Sequence, residues 1–89
     1  MKTLKFTIKG RVQQVYFRQY TLENAKELGI KGWVKNLPDK SVQCVATGTT
    51  EALQEFEKRL WKGSPLSKVE NLIVEAIEPT EIFSDFKIV

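Results

Sequence analysis

The residues of this 89-residue chain best suited to chemistry lie between its first predicted strand and its first predicted helix. The stretch Gly10-Arg11-Val12-Gln13-Gln14-Val15-Tyr16 carries neither a strand nor a helix period, and Arg18 opens the helical pattern that follows. A strand ending in Gly, a turn and a helix start together can build an anion site. N–H groups of a first helical turn lack internal partners, and the helix dipole favours negative charge there. Successive N–H groups in a curled loop can also wrap one phosphate. Arg18 is close enough to reach back over such a loop, and its planar fork can clasp two phosphate oxygens, which Lys cannot do. An arginine at the positive end of a helix is slightly unfavourable unless an anion accompanies it. The same residues also fit a plain strand-to-helix connection with a solvated arginine, and composition leaves both readings open.

Composition narrows the chemistry further. The chain has no His and one Cys, which removes most zinc sites, every Ser-His or Cys-His relay and imidazole acid–base catalysis. Neither a metal nor a cofactor is expected. Cys44 shares an alternating face with Val42 and Ala46, so it reads as a buried, inert thiol in a reducing, cytoplasmic setting. Glu23, Glu27, Glu51, Glu55 and Glu57 fall on predicted helices as solvated residues, with no carboxylate pair suited to glycoside cleavage. Apolar runs are too short for a transmembrane helix, and the amino terminus has no apolar signal region. Residues 1–45 carry nine Lys and Arg against three acids, whereas residues 46–89 carry five against eight. A basic first half suits an anionic ligand, although a solvated lysine surface has the same composition.

The elements that must position these residues follow from period and punctuation. Leu4, Phe6 and Ile8 alternate with Lys5, Thr7 and Lys9, predicting a half-buried strand that ends at Gly10. Residues 17–28 turn helical, with Phe17, Thr21, Ala25 and Leu28 near one face, and Gly29 is a natural stop. Residues 30–36 and 42–47 read as a hairpin joined by Leu37-Pro38-Asp39-Lys40. Thr49 or Thr50 can cap a second helix to about Lys62, with Leu53, Phe56 and Leu60 at helical spacing. Gly63-Ser64-Pro65 breaks it, and residues 69–77 and 83–89 supply a fourth and a short last strand. The β-α-β-β-α-β order predicts one α+β domain over residues 1–89: a ferredoxin-like sandwich with both helices on one face of an antiparallel sheet. Trp33 and Trp61 are expected to pack in or against the core.

Two motifs carry a family resemblance. Gly10-Arg11-Val12-Gln13-Gln14-Val15-Tyr16-Phe17-Arg18 resembles the acylphosphatase signature G-x-V-Q-G-V-x-F-R, and Gly32-Trp33-Val34-Lys35-Asn36 resembles that family's G-[WYF]-[VA]-x-N motif. The resemblance continues through Pro38-Asp39, Thr47-Gly48, Gly63-Ser64-Pro65 and Phe83-Ser84-Asp85-Phe86. It implies a ferredoxin-like hydrolase that cleaves acyl phosphates to carboxylate and inorganic phosphate, with no metal and no covalent intermediate. By matching position, Arg18 would bind the phosphate and Asn36 would orient the attacking water. The backbone N–H groups of Gln13, Gln14, Val15, Tyr16 and Phe17 would form the cradle. A neutral amide suits the water-orienting role, since it can accept from a water without repelling the phosphate dianion. On its own, Asn36 could equally be a strand-ending residue ahead of Pro38. The partners expected are small-molecule acyl phosphates and inorganic phosphate, with no nucleic acid and no membrane, for a monomer.

Three positions depart from the family pattern. Gln14 stands where the signature has Gly, Tyr16 occupies a position often Gly in bacterial relatives, and Lys40 replaces the frequent Gly of an Asp-Gly turn. Gln14 bears most on activity: a cradle that needs positive φ there would be strained by a Cβ. It leaves room for a catalytically weak, phosphate-binding relative. An RNA-recognition module shares the element order, but its third strand would carry aromatics, and Ser41-Val42-Gln43-Cys44-Val45-Ala46-Thr47 has none.

Overall fold

Alternation in the strands and three- to four-residue spacing in the helices bring one set of apolar side chains together between two layers. The computed structural model describes residues 1–79 and 81–89. Its elements are β1 (Lys2–Arg11), α1 (Phe17–Glu27), β2 (Lys31–Asn36), β3 (Val42–Gly48), α2 (Thr50–Lys62), β4 (Lys68–Ala76) and β5 (Phe86–Ile88). The strands form one sheet in the order β4-β1-β3-β2-β5. Phe6 and Ile8 of β1, Val34 of β2 and Val42, Cys44 and Ala46 of β3 meet Phe17 and Ala25 of α1 and Leu53, Phe56 and Leu60 of α2. Phe56 stands edge-on to both Phe6 and Phe86, at centroid distances of 5.7 and 6.1 Å, tying β1, α2 and β5 together. Such edge-to-face pairs add about 1 kcal/mol beyond the area they bury.

The predicted order of elements holds, with two differences in the strands. β1 does not end at Gly10 but continues to Arg11 through a register irregularity between Lys9 and Gly10 against β4. Gly10 takes φ 128, and a Cβ there would collide with the Lys68 carbonyl, so this bend admits only glycine. β5 pairs in parallel with β2, which makes the sheet mixed at that edge, whereas all other pairings are antiparallel. It is the short strand expected within residues 83–89, and its bonding to β2 extends at each end, Gly32 N–H donating to Asp85 O and Val89 N–H to Val34 O. Trp33 is half-buried with the Lys35 ammonium 5.0 Å from its ring centre, as a packing residue would be. Trp61 is 45% exposed and does not pack into the core, because it lies on the outer side of α2, away from Leu53, Phe56 and Leu60.

The β2–β3 turn is built by side-chain hydrogen bonds. Lys40 N–H donates to Leu37 O at 3.1 Å, and Leu37 N–H donates to Ser41 O at 2.9 Å. Asp39 Oδ1 accepts from Ser41 Oγ at 2.5 Å and from Ser41 N–H at 3.0 Å, and these bonds hold the Asp39 carboxyl below its ordinary pKa. Lys40 sits at φ 75, in the left-handed region that the Gly of an Asp-Gly turn would occupy freely. That conformation costs a non-glycine residue about 1 kcal/mol, and the Asp39–Ser41 bonds offset it.

Candidate active site

The loop between β1 and α1 is pinned by alternate side chains. Val12, Val15 and Phe17 are buried, and Gln14 and Tyr16 between them are exposed. Burial of three anchors within six residues fixes the loop against the core and leaves the intervening backbone at the surface. Gln14 has φ 63 and Tyr16 has φ 62, with Val15 at negative φ between them. Alternation of hand along successive residues is the backbone pattern from which anion nests are built. Among the described residues, the backbone N–H groups of residues 13–17 have no protein hydrogen-bond acceptor. Both Gln14 and Tyr16 therefore occupy glycine-favouring conformations. Tyr16 shares the strain that the sequence placed at Gln14 alone.

The two helices begin differently. At α2, Thr49 Oγ1 accepts from Ala52 N–H at 3.1 Å, and Glu51 lies in the first turn. At α1, the N-cap is Tyr16, no side chain caps the turn, and the first turn carries no acid. The positive end of α1 thus faces the surface without an anionic or capping partner of its own. Arg18 stands in that first turn, half-buried, and forms no salt bridge with any described carboxylate. It lines an open cavity of ≈ 430 Å³ together with Val12, Gln14, Tyr16, Phe17, Gln19 and Ile88. Arg18 and the bare start of α1 thus border one cavity, together with Gln14, Tyr16 and Phe17 of the loop and first helical turn.

Asn36 lies at the end of β2, opposite Val42 of β3. It shares the helix-facing side of β2 with Gly32 and Val34 by alternation. At Gly32, which takes φ 143, a Cβ would collide with the Val45 carbonyl, so the close approach of β3 demands glycine in this motif. Asn36 does not line the cavity around Arg18. Its side-chain oxygen, Oδ1, is buried and has no hydrogen-bond donor among the described residues. A buried acceptor without a donor is uncommon in native proteins. Gln13 bridges the two motifs: its Nε2 donates to Leu37 O and to Ser41 O, both at 2.9 Å. The loop that carries Arg18 is thereby held to the residue after Asn36.

Three contributors escaped the sequence. The side chain of Gln13 acts as a brace across the two motifs, Ile88 brings β5 to the cavity wall, and Ser64 Oγ donates to Val15 O at 2.5 Å. The only signals were the alternation of Ile88 with Lys87 and the Gly63-Ser64-Pro65 break, and neither names a partner. Cys44 is fully buried and burial raises its thiol pKa well above the ordinary value, so it takes no part in chemistry.

Comparison with known proteins agrees with this arrangement. The acylphosphatase family model matches residues 4–88. A protein from Nitrosococcus oceani named acylphosphatase is 47% identical over 75 residues, covering 84% of each chain. Another of that name from Shewanella amazonensis is 40% identical over 88 residues, covering 99% of this chain and 97% of its own. The crystal structure of acylphosphatase from Bacillus subtilis superposes with a TM-score of 0.96 at 37% identity, covering 100% of this chain and 99% of that one. With its α+β ferredoxin-like fold and both motifs placed on the elements that build the site, the chain belongs to the acylphosphatase family.

Proposed function

We propose that this chain is a metal-independent acylphosphatase, hydrolysing the carboxyl–phosphate bond of small acyl phosphates to carboxylate and inorganic phosphate. The observation that carries this is the uncapped start of α1, where Gln14, Tyr16, Phe17 and Arg18 line one cavity and the N–H groups of residues 13–17 have no acceptor among the described residues. The N–H groups of Gln13, Gln14, Val15, Tyr16 and Phe17 hold the phosphoryl oxygens, and Arg18 clasps two of them. The Asn36 side-chain amide orients the attacking water toward phosphorus. As the water attacks, the phosphorus–oxygen bond to the carboxyl group breaks, the carboxylate leaves with the bonding pair, and both protons of the water end on the phosphate, which departs as the dihydrogen monoanion or passes one proton to solvent. A carboxylate is stable as the free anion, so the leaving group needs no general acid, and a His-free chain supplies enough by positioning and electrostatics. The test is hydrolysis of an aryl acyl phosphate followed by ultraviolet absorbance, with and without saturating chelator. Turnover unaffected by chelator is expected. Loss of turnover on chelation, restored by a divalent ion, would overturn the mechanism.

We further infer that this domain works in the cytoplasm as a monomer on free metabolite-sized substrates, without nucleic acid or membrane. Its only thiol is buried, and no helix of the described residues is long and apolar enough to cross a membrane. Size-exclusion chromatography at assay concentration checks the monomer.

Gln14 tunes the rate. At φ 63 its Cβ makes the curled backbone cost roughly 1–2 kcal/mol that glycine would not incur. Gln14→Gly is expected to raise kcat/KM or tighten phosphate binding by up to ~10-fold, since the ligand-ready loop then carries less strain. Tyr16, at φ 62, keeps its share, so the gain is bounded. Glycine also enlarges the unfolded ensemble, so the melting temperature need not rise with activity. Turnover and melting measured on one preparation separate the two, and unchanged turnover with unchanged phosphate affinity shows that position 14 does not limit the cradle.

A further inference from the structure

Beneath the phosphate loop lies a contact that joins residues 49 positions apart: Ser64 Oγ donates to Val15 O at 2.5 Å. Ser64 is 4% exposed, so this bond is made away from water. The serine is itself held. Its N–H donates to Ser67 Oγ at 2.8 Å, and its carbonyl accepts from Ser67 Oγ at 2.8 Å and from Ser67 N–H at 3.0 Å. Gly63, at φ 65, turns the chain out of α2 into this tight turn.

We propose that Ser64 is a positioning residue for phosphate binding: by holding the Val15 carbonyl inward, it aims the Tyr16 N–H at the anion. This rests on the phosphate-loop function proposed above. A trans peptide unit is planar, with its C=O and the next N–H pointing in opposite directions. Fixing the carbonyl of Val15 beneath the loop therefore fixes the N–H of Tyr16 on the opposite side, where the cavity lies. Burial of the Val15 side chain holds the adjacent Cα as well.

The bond matters because this peptide unit has a reason to flip. Rotation of the 15–16 unit changes ψ of Val15 and φ of Tyr16. It would release Tyr16 from φ 62 toward the negative φ that residues with a Cβ prefer. In the flipped state a carbonyl oxygen would face the phosphate and one cradle donor would be lost. Ser64 opposes that flip, and Tyr16→Gly would remove the motive for it.

The experiment is a titration of inorganic phosphate into 15N-labelled protein, followed by amide shifts of residues 13–18 and accompanied by melting curves. The parent is expected to bind phosphate with a downfield shift at the Tyr16 amide. Ser64→Ala is expected to weaken phosphate about 10-fold and to lose the Tyr16 shift while Phe17 still responds. Ser64→Thr, which keeps the hydroxyl, should restore the Tyr16 response. Should Ser64→Ala not fold, Ser64→Cys replaces it with the same readouts, its thiol being a weak donor. A merely structural serine would lower the melting temperature and leave phosphate affinity and the Tyr16 shift at parent values, and that result overturns the inference. Arg18→Ala is the control for the underlying function. If the parent binds phosphate and Arg18→Ala does not, while Ser64→Ala binds as the parent does, only the positioning role fails. If the parent shows no phosphate response in residues 13–18, the phosphate-loop function fails with it.

Discussion

Arg18→Ala is expected to lower kcat/KM for an aryl acyl phosphate by about 10³-fold or more, and Arg18→Lys to do nearly as much. The size follows from what the side chain does in the proposed complex. Each charge-assisted hydrogen bond to a phosphoryl oxygen contributes roughly 1.5–3 kcal/mol, and a guanidinium makes two in one plane. Lysine retains the charge but presents one compact ammonium, so it forfeits the second bond and the orientation both bonds impose. Stability should change little, because Arg18 pairs with no described carboxylate in the free protein. Inorganic phosphate affinity should fall together with the rate, as the dianion and the transition state share this contact. An Arg18→Lys variant with near-parent kcat/KM would sink the assignment. Arg59, the arginine of the other helix, is the natural control. It bonds Glu27 at 2.8 Å and Glu55 at 3.1 Å, so its charge is already committed to holding α1 and α2 together.

Why some of this was legible in the sequence and some was not has a physical basis. Strand and helix faces are legible because burial imposes a period, so Leu53, Phe56 and Leu60 announce the inner face of α2 and the alternation of Phe6 and Ile8 that of β1. The loop at residues 10–16 has no period, yet its buried Val12 and Val15 are anchors whose spacing follows the curl of the backbone and not a regular element. The extension of β1 past Gly10 was hidden, since a bulge looks like a strand end when a glycine marks it. The outward position of Trp61 was hidden for another reason: Trp is intermediate in its preference for burial, and one residue past Leu60 the helix has already turned the side chain off the buried face. Arg18, Asn36 and the residue 13–17 cradle were named from motif positions. Their roles await the variants described here, while their placement around α1 and the end of β2 is a property of the fold. The contacts that brace them, Gln13 to Leu37 and Ser41 and Ser64 to Val15, join distant segments through single polar atoms. No local pattern encodes such a pair.

Asn36→Ala is expected to lower kcat by about 10²-fold while leaving the affinity for inorganic phosphate nearly intact. The asymmetry comes from the atom involved. In the proposed mechanism the Asn36 amide fixes the attacking water and does not touch the dianion, and its Oδ1 takes no donor from the described residues. Removing it leaves the phosphate contacts in place and returns the water to a disordered approach, which lowers the rate of the chemical step alone. Its cost in stability is smaller than that of most buried truncations. Deleting an acceptor whose partner is not protein relieves a desolvation cost, of roughly 1–3 kcal/mol, that the fold otherwise bears. Asn36→Ala should therefore melt no lower than the parent by more than its lost packing, even as turnover collapses. Asn36→Asp makes a sharper comparison, since the carboxylate keeps the shape and the acceptor but adds a negative charge beside an incoming dianion. It should weaken phosphate binding as well as rate, and the loss should shrink as salt screens the repulsion. Steady-state kinetics, phosphate titration and melting curves on the two variants decide the matter. Equal loss of phosphate affinity and kcat in Asn36→Ala would show that the residue acts through the shape of the cradle and not through water.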